Sequence, residues 1–295
     1  MIEVTKDILK KIYKKRPEES KKYDFGLLIV IGGSDFYSGS PALNALAAFR
    51  AGVDMVRIIA TKRAADIIAS FSPDLAAYPL EGKWLGEKHL ATLIEMTEGA
   101  KEVAHGKTAV VIGGGVGRSE ETQKVILEYL EKVSVPVVID ADAIHAVSKK
   151  PEIILGPALS EKRKGWIITP HTYEFFVLTG REVYKLPEEE KTKAVLEEAA
   201  RLKTTILLKG RTDIISDGKE VVLNKTGGPF LTVGGTGDTL AGICGALLAR
   251  GIDPFLAAQA AAFINGLAGE IAFKKLGEGL VATDLINSIP EVIKY

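Results

Sequence analysis

The sequence predicts an α/β fold, a central and mostly parallel sheet with helices on both faces, built as one domain over residues 1–295. Short, continuously apolar runs recur along the chain, the pattern of strands buried on both faces. Helical stretches alternate with them, as crossovers between parallel strands require. No linker rich in Pro, Gly and Ser, no low-complexity segment and no fixed-period repeat breaks the alternation.

The elements read in order as follows. Residues 5–15 carry Ile8, Leu9, Ile12 and Tyr13 at helical spacing, with the surrounding lysines on a solvated face. FGLLIVIGG (25–33) is a strand that ends in glycines, and PALNALAAFRAG (41–52) is a helix that stops at Gly52. Strands follow in MVRIIA (55–60), TAVVIGGG (108–115), PVVID (136–140), GWIITP (165–170) and TTILLKG (204–210). Between them EETQKVILEYLEKV (120–133) and EEEKTKAVLEEAARL (188–202) are helical. DIIS (213–216) and EVVLN (220–224), separated by Asp217-Gly218-Lys219, form a hairpin. TLAGICGALLARG (239–251) and PFLAAQAAAFINGLAGEIAF (254–273) are helices whose small residues permit close packing.

Composition excludes several functions. Lys plus Arg is 38 and Asp plus Glu is 38, so there is no basic excess to draw the chain onto nucleic acid. The apolar runs meet Gly, Thr or charge before the ~18 residues of a membrane span. The one cysteine, Cys244, forms no internal disulfide, and no Cys/His cluster suggests zinc. The expected setting is therefore reducing and cytoplasmic, with no membrane or nucleic-acid partner.

In open α/β sheets ligands bind beyond the carboxyl ends of the strands, and those ends carry the unusual residues here. GGSDFYSGSP (32–41) is a long polar loop with three glycines and two aromatics, more than a turn needs. GGGVG (113–117) could present amides to an anion or lie flat against a ring, though it fails the GxGxxG pattern. In DADAIHAV (140–147), Asp142 reads either as a helix cap or, with Asp140, as a carboxylate facing a ribose hydroxyl or a cation's water shell. In TPHTYE (169–174), His171 sits on the ligand edge, and Glu174 either favours the helix dipole or holds a metal-bound water. ILLKGRTDII (206–215) offers charge and hydroxyl groups to a nucleotide. GGTGDTLAG (234–242) carries the strongest signal. Its glycine-rich backbone runs into a helix whose first amides would stabilise phosphate, and Asp238 beside them reads either as the helix cap or as a general base for phosphoryl transfer. It is not a Walker A loop, since no GK[ST] follows.

GGSDFYSGSPALNALAAFRAG, VIGGGVG, VIDADAI, TPHTYEF, LLKGRTD and NKTGGPFLTVGGTGDTLAGI, in this order, resemble the ADP/ATP-dependent NAD(P)H-hydrate dehydratase family of the ribokinase-like superfamily, over about residues 24–273. The resemblance implies a ribokinase-like three-layer α/β/α fold and repair of hydrated NADH or NADPH, by phosphorylating the ring hydroxyl and then eliminating phosphate. It implies Asp238 as the base, and Gly235, Thr236 and Gly237 as the cradle of the transferring phosphoryl group. It further implies Lys209, Gly210, Arg211, Thr212 and Asp213 as the binding segment for ADP or ATP, and Ser40, Asn44, Gly115, Gly117, Asp142, His171 and Asp238 around the hydrated nicotinamide nucleotide. Mg²⁺ is expected, carried by phosphates and water, with Glu174 touching it through water. Family members commonly form tetramers, so the resemblance implies a homo-oligomer. The epimerase that interconverts the hydrates is a separate N-terminal domain in some members. With about 25 residues before the match, that activity is expected from a separate partner. The alternative is a ribokinase-like kinase for a small alcohol such as a vitamin precursor, which shares Asp238 and the phosphate turn.

Overall fold

The structure, a computed structural model, describes residues 2–155 and 165–294. Ten strands are found among the described residues: β1 (Ile2–Glu3), β2 (Leu27–Ile31), β3 (Met55–Thr61), β4 (Ala76–Leu80), β5 (Thr108–Ile112), β6 (Val137–Ile139), β7 (Ile167–Ile168), β8 (Thr205–Leu208), β9 (Asp213–Ser216) and β10 (Val221–Asn224). They form one sheet in the order β1-β10-β9-β8-β7-β6-β5-β2-β3-β4. Every pairing is parallel except those of β9, which runs against both neighbours.

The helices are α1 (Asp7–Ile12), α2 (Gly39–Arg50), α3 (Lys62–Phe71), α4 (Leu90–Val103), α5 (Glu120–Lys132), α6 (Asp142–Val147), α7 (Glu152–Leu155), α8 (Thr172–Thr179), α9 (Glu188–Leu202), α10 (Thr236–Ala249), α11 (Pro254–Leu276) and α12 (Ala282–Ile293). The sheet divides them into two layers because strand side chains alternate between faces. Within β2, Leu28 and Val30 enter the core shared with α1, α2, α3, α10, α11 and α12. Leu27, Ile29 and Ile31 enter the core shared with α4 to α9. This is the three-layer α/β/α arrangement.

The helix expected over 5–15 is shorter. Tyr13 leaves it with an extended backbone, because its hydroxyl donates to the Ala51 carbonyl and its ring lies under the Arg250 guanidinium. By length and composition α11, extended to Gly279, could cross a membrane, contrary to the reading that every apolar run is broken first. Two thirds of its apolar window is buried, and it packs on α1, α10, α12 and the sheet, so it is a core helix.

Two features position the site. From β2 the chain moves out to β3 and β4, then returns to β5 on the other side of β2. The loops after β2 and β5 therefore diverge and open a crevice at the carboxyl ends. Second, α10 and α2 approach backbone to backbone. A Cβ on Gly242 would overlap the Asn44 carbonyl, and one on Gly245 would overlap Val111 and Leu28 of the sheet. Only glycine at these positions lets α10 slide under the crevice with its first turn against α2.

Candidate active site

The first turn of α10 is the centre of the site. Gly235 caps it in the left-handed region, at φ +96°, a conformation that glycine adopts without strain. The first intrahelical bond runs from the Thr239 amide to the Gly235 carbonyl, so the amides before it are free for a ligand. The turn is held from two sides. Asn265 of α11 donates to the Thr236 carbonyl at 3.2 Å and accepts from the Thr239 hydroxyl at 2.6 Å. Asn44 of α2 donates its side-chain amide to the Asp238 carbonyl at 2.8 Å.

Asp238 is therefore within the helix, three residues past the cap, and its carboxylate is not spent on capping. It accepts a hydrogen bond from the Ser40 hydroxyl, across 198 residues of sequence. Gly114 closes over this pair: a Cβ there would overlap the Ser40 hydroxyl oxygen and stand 3.2 Å from the Asp238 carboxylate. Burial, helped by the Asp140 carboxylate, pushes Asp238 up to about 6, against the Ser40 hydrogen bond and the Lys209 charge. A base with that affinity is mostly ionised at neutral pH yet still able to hold a proton.

The carboxyl ends of β6, β7 and β8 supply a second group of residues. Asp140 is buried and accepts from the Thr169 hydroxyl at 2.8 Å and the Lys209 ammonium at 3.0 Å. Burial alone would lower Lys209, but Asp140, Glu174 and Asp238 outweigh it and leave its pKa raised. The ammonium lies 3.6 Å from where a Cβ on Gly237 would stand, at the mouth of the α10 turn.

A cavity of about 650 Å³ opens on one side of that turn. Thr236 and Gly237 form its floor, Lys209, Gly210, Arg211, Asp213 and His171 one wall, and Gly228, Pro229, Leu231, Thr232 and Val233 with Asn265 and Gly266 the other. Thr212 of the expected nucleotide segment is not part of this wall. Asp213 accepts from the Gly210 amide and from Asn224, bonds that fix the strand-end loop, and burial raises its pKa to about 6 against both. Asp238 does not line the cavity and turns instead toward Ser40 and the glycine loop after β5. The start of α10 thus divides a donor side, with free amides and cations, from an acceptor side with the carboxylate.

On the acceptor side Gly115 and Gly117 both have positive φ and lie against aromatic rings. A Cβ would stand 2.8 Å from Tyr37 at the first and 2.9 Å from Trp84 at the second. The Gly117 amide is not free for an anion, because it donates to Asp142 at 3.0 Å. Asp142 also accepts from Arg118 at 2.6 Å, and Ala141, not Asp142, caps α6. Asp142 therefore shapes the glycine loop. His171 and Glu174 form a reciprocal cap on α8. The imidazole Nδ1 accepts the Tyr173 and Glu174 amides, and Glu174 accepts the His171 amide at 2.9 Å. His171 lies on the cavity wall rather than beside Ser40. Glu174 is 3.8 Å from the Lys209 ammonium, and among the described residues no three His, Cys, Asp or Glu side chains converge on a metal position.

Sequence reasoning weighed Asp140 but did not commit to it, and it missed Thr169, Trp84 and Asn265. Position at a strand's carboxyl end was a usable signal for Thr169. Trp84 and Asn265 carried none, one in a loop and one in an apolar helix.

A mostly parallel sheet whose strand order turns back at β2, with helices on both faces, is the ribokinase-like fold. The family model for NAD(P)H-hydrate dehydratase matches residues 28–291, and the chain belongs to that family. It is 44% identical over 284 residues to the bifunctional NAD(P)H-hydrate repair enzyme of Pyrobaculum aerophilum, covering 95% of this chain and 52% of that one. The chain thus spans about half the length of the first such relatives it matches. It is 35% identical over 294 residues to the ADP-dependent (S)-NAD(P)H-hydrate dehydratase of Cenarchaeum symbiosum, covering 99% and 96%. Among solved structures, the ADP/ATP-dependent NAD(P)H-hydrate dehydratase of Bacillus subtilis, co-crystallised with ATP/Mg²⁺, aligns with a TM-score of 0.81 at 28% identity, covering 99% and 97%.

Proposed function

We propose that this protein restores NADH and NADPH from their S hydrates, using ADP as phosphoryl donor and releasing AMP and phosphate. The observation that carries the proposal is the divided turn of α10. Free amides and the Lys209 ammonium face a nucleotide-sized cavity, while the Asp238 carboxylate faces the opposite side beside Ser40. A phosphoryl group lying on the Gly235–Gly237 amides is then flanked by a donor cavity and a base, the geometry of in-line transfer.

Chemically, hydroxide leaves the hydrated ring poorly. Asp238 accepts the hydroxyl proton as that oxygen attacks phosphorus, and the P–O bond to the nucleotide breaks. The ring nitrogen's lone pair then expels phosphate from carbon, and loss of the neighbouring ring proton restores the double bond. Ser40 orients the carboxylate, while Lys209 and Arg211 meet the nucleotide phosphates. Magnesium, when bound, would neutralise charge on those phosphates. Tyr37 and Trp84 against the glycine loop give the acceptor side flat walls suited to a ring. The full-length relative named ADP-dependent supports ADP as donor. In this reading the enzyme is a cytoplasmic homo-oligomer, tetrameric, fed by a hydrate epimerase.

The test is incubation of purified protein with hydrated NADH or NADPH, Mg²⁺ and either ADP or ATP. Return of reduced-nicotinamide absorbance with AMP or ADP release is expected. A stable phosphorylated product from some other alcohol, with no absorbance recovered, would replace the reading with a small-molecule kinase.

A further inference from the structure

We propose that Asp140 is a positioning residue of this site: anchored by Thr169, it holds the Lys209 ammonium beside the first turn of α10, so that one cation serves both the phosphate cradle and the Asp238 base. Its effect on turnover rests on the phosphoryl-transfer reading above. Its effect on Asp238 does not depend on that reading.

Asp140, Thr169 and Lys209 stand just past the ends of three adjacent parallel strands, β6, β7 and β8. The register sets Asp140 opposite Thr169, and Lys209 lies two residues further along than the position opposite Thr169, its amide donating to the Pro170 carbonyl. Asp140 is 4% exposed and Thr169 fully buried. A carboxylate so placed is tolerated only with partners of good geometry, and it has them at 2.8 and 3.0 Å. For stability alone such a pair offers little over an apolar one. The arrangement is also lopsided. The carboxylate is sealed inside, while the ammonium, 20% exposed, lines the nucleotide cavity. Lys209 is thus tethered from behind and presented forward, 3.6 Å from the vacant Cβ position of Gly237.

The groups facing Asp238 come from four elements. They are the Ser40 hydroxyl of α2, the Tyr37 phenol of the loop before it, Asp140 beyond β6 and Lys209 beyond β8. Asp140 and Lys209 act on Asp238 in opposite senses, carboxylate against carboxylate and ammonium toward carboxylate. Removing Asp140 withdraws a repulsive charge, which makes Asp238 easier to ionise, and leaves the ammonium without its tether. Removing Lys209 does the reverse. A pair too remote to act on Asp238 would move neither.

Two measurements test this. In the nucleotide-free protein, the Asp238 carboxyl carbon is followed by ¹³C NMR against pH, its resonance assigned by its absence in Asp238→Asn. The titration midpoint should fall in Asp140→Asn and rise in Lys209→Met. In the dehydration assay with ADP, Asp140→Asn should lose about 10- to 100-fold in kcat/KM, the worth of one charge-assisted hydrogen bond. Its acid limb should move down in pH, and Asp140→Glu should recover part of the loss. Midpoints unchanged in both variants overturn the proposal whatever the activity. Opposite movements in a protein that dehydrates nothing leave the positioning role standing and sink the dehydratase reading instead. Should Asp140→Asn fail to fold, Thr169→Val, which removes one anchor only, and Lys209→Met carry the same test.

Discussion

Replacing Asp238 by Asn should disable the enzyme and stabilise the fold at the same time. The amide keeps the shape and can still accept the Ser40 hydrogen bond, but it cannot take a proton, so turnover should fall by about 10²–10⁴. The stability gain follows from linkage. The folded state raises Asp238 from 3.8 to about 6, so the folded protein binds this proton more tightly than the unfolded chain. Stability therefore falls as pH rises from about 4 to 6, and the full cost is present above 6. At ~1.4 kcal/mol per pH unit that cost is at most roughly 3 kcal/mol. Water reaching the half-buried carboxylate trims it to ~1–2 kcal/mol. Asp238→Asn should then melt about 2–6 °C above wild type at pH 7.5 and converge with it near pH 4. Scanning calorimetry across that range, beside the dehydration assay, checks both halves. A variant no more stable than wild type at pH 7.5, or a gap that does not close in acid, would refute the burial argument. Turnover within a few-fold of wild type would remove Asp238 as the base.

In Gly114→Ala the new Cβ must push the Ser40 hydroxyl off Asp238. Loss of that hydrogen bond to a charged group should lower kcat about 10- to 100-fold, with KM for ADP nearly constant in steady-state kinetics. Arg211 lines the cavity proposed above to take the nucleotide and is exposed. Arg211→Ala should raise KM for ADP about tenfold with kcat little changed, as expected when uniform binding is removed. Thr239→Val strands the buried Asn265 carbonyl oxygen. It should lower unfolding free energy by about 1–3 kcal/mol in denaturant titration and reduce activity by loosening the α10 turn. Finally, wild-type kcat/KM should rise through pH 6 to a plateau, since the base works only when ionised.

Much of this protein was legible in one dimension because burial on both faces leaves a local mark. Strands such as 27–31, 108–112 and 205–208 are continuous apolar runs, and the hairpin from 213 to 224 announces itself through Asp217-Gly218. The glycine-rich entry to α10 was equally plain, since a helix start stripped of side chains has few other uses. Elements with mixed patterns escaped. β4 is an edge strand of mostly exposed residues, and β1 is two exposed residues that exist as a strand only because β10 lies beside them. The helices α3, α4 and α12 were not singled out either.

The alphabet of the site is written locally: which strand ends carry polar residues, where backbone amides lie open, and that a carboxylate stands beside them. Which of these groups meet is a matter of folding in three dimensions. Ser40 reaches Asp238 across 198 residues and Lys209 reaches Asp140 across 69, distances at which no periodicity survives. The reason is that strand order and helix approach are set by packing of the whole sheet, through contacts such as Gly242 against Asn44. A chain written in order of residues carries no record of the order in which its strands lie side by side.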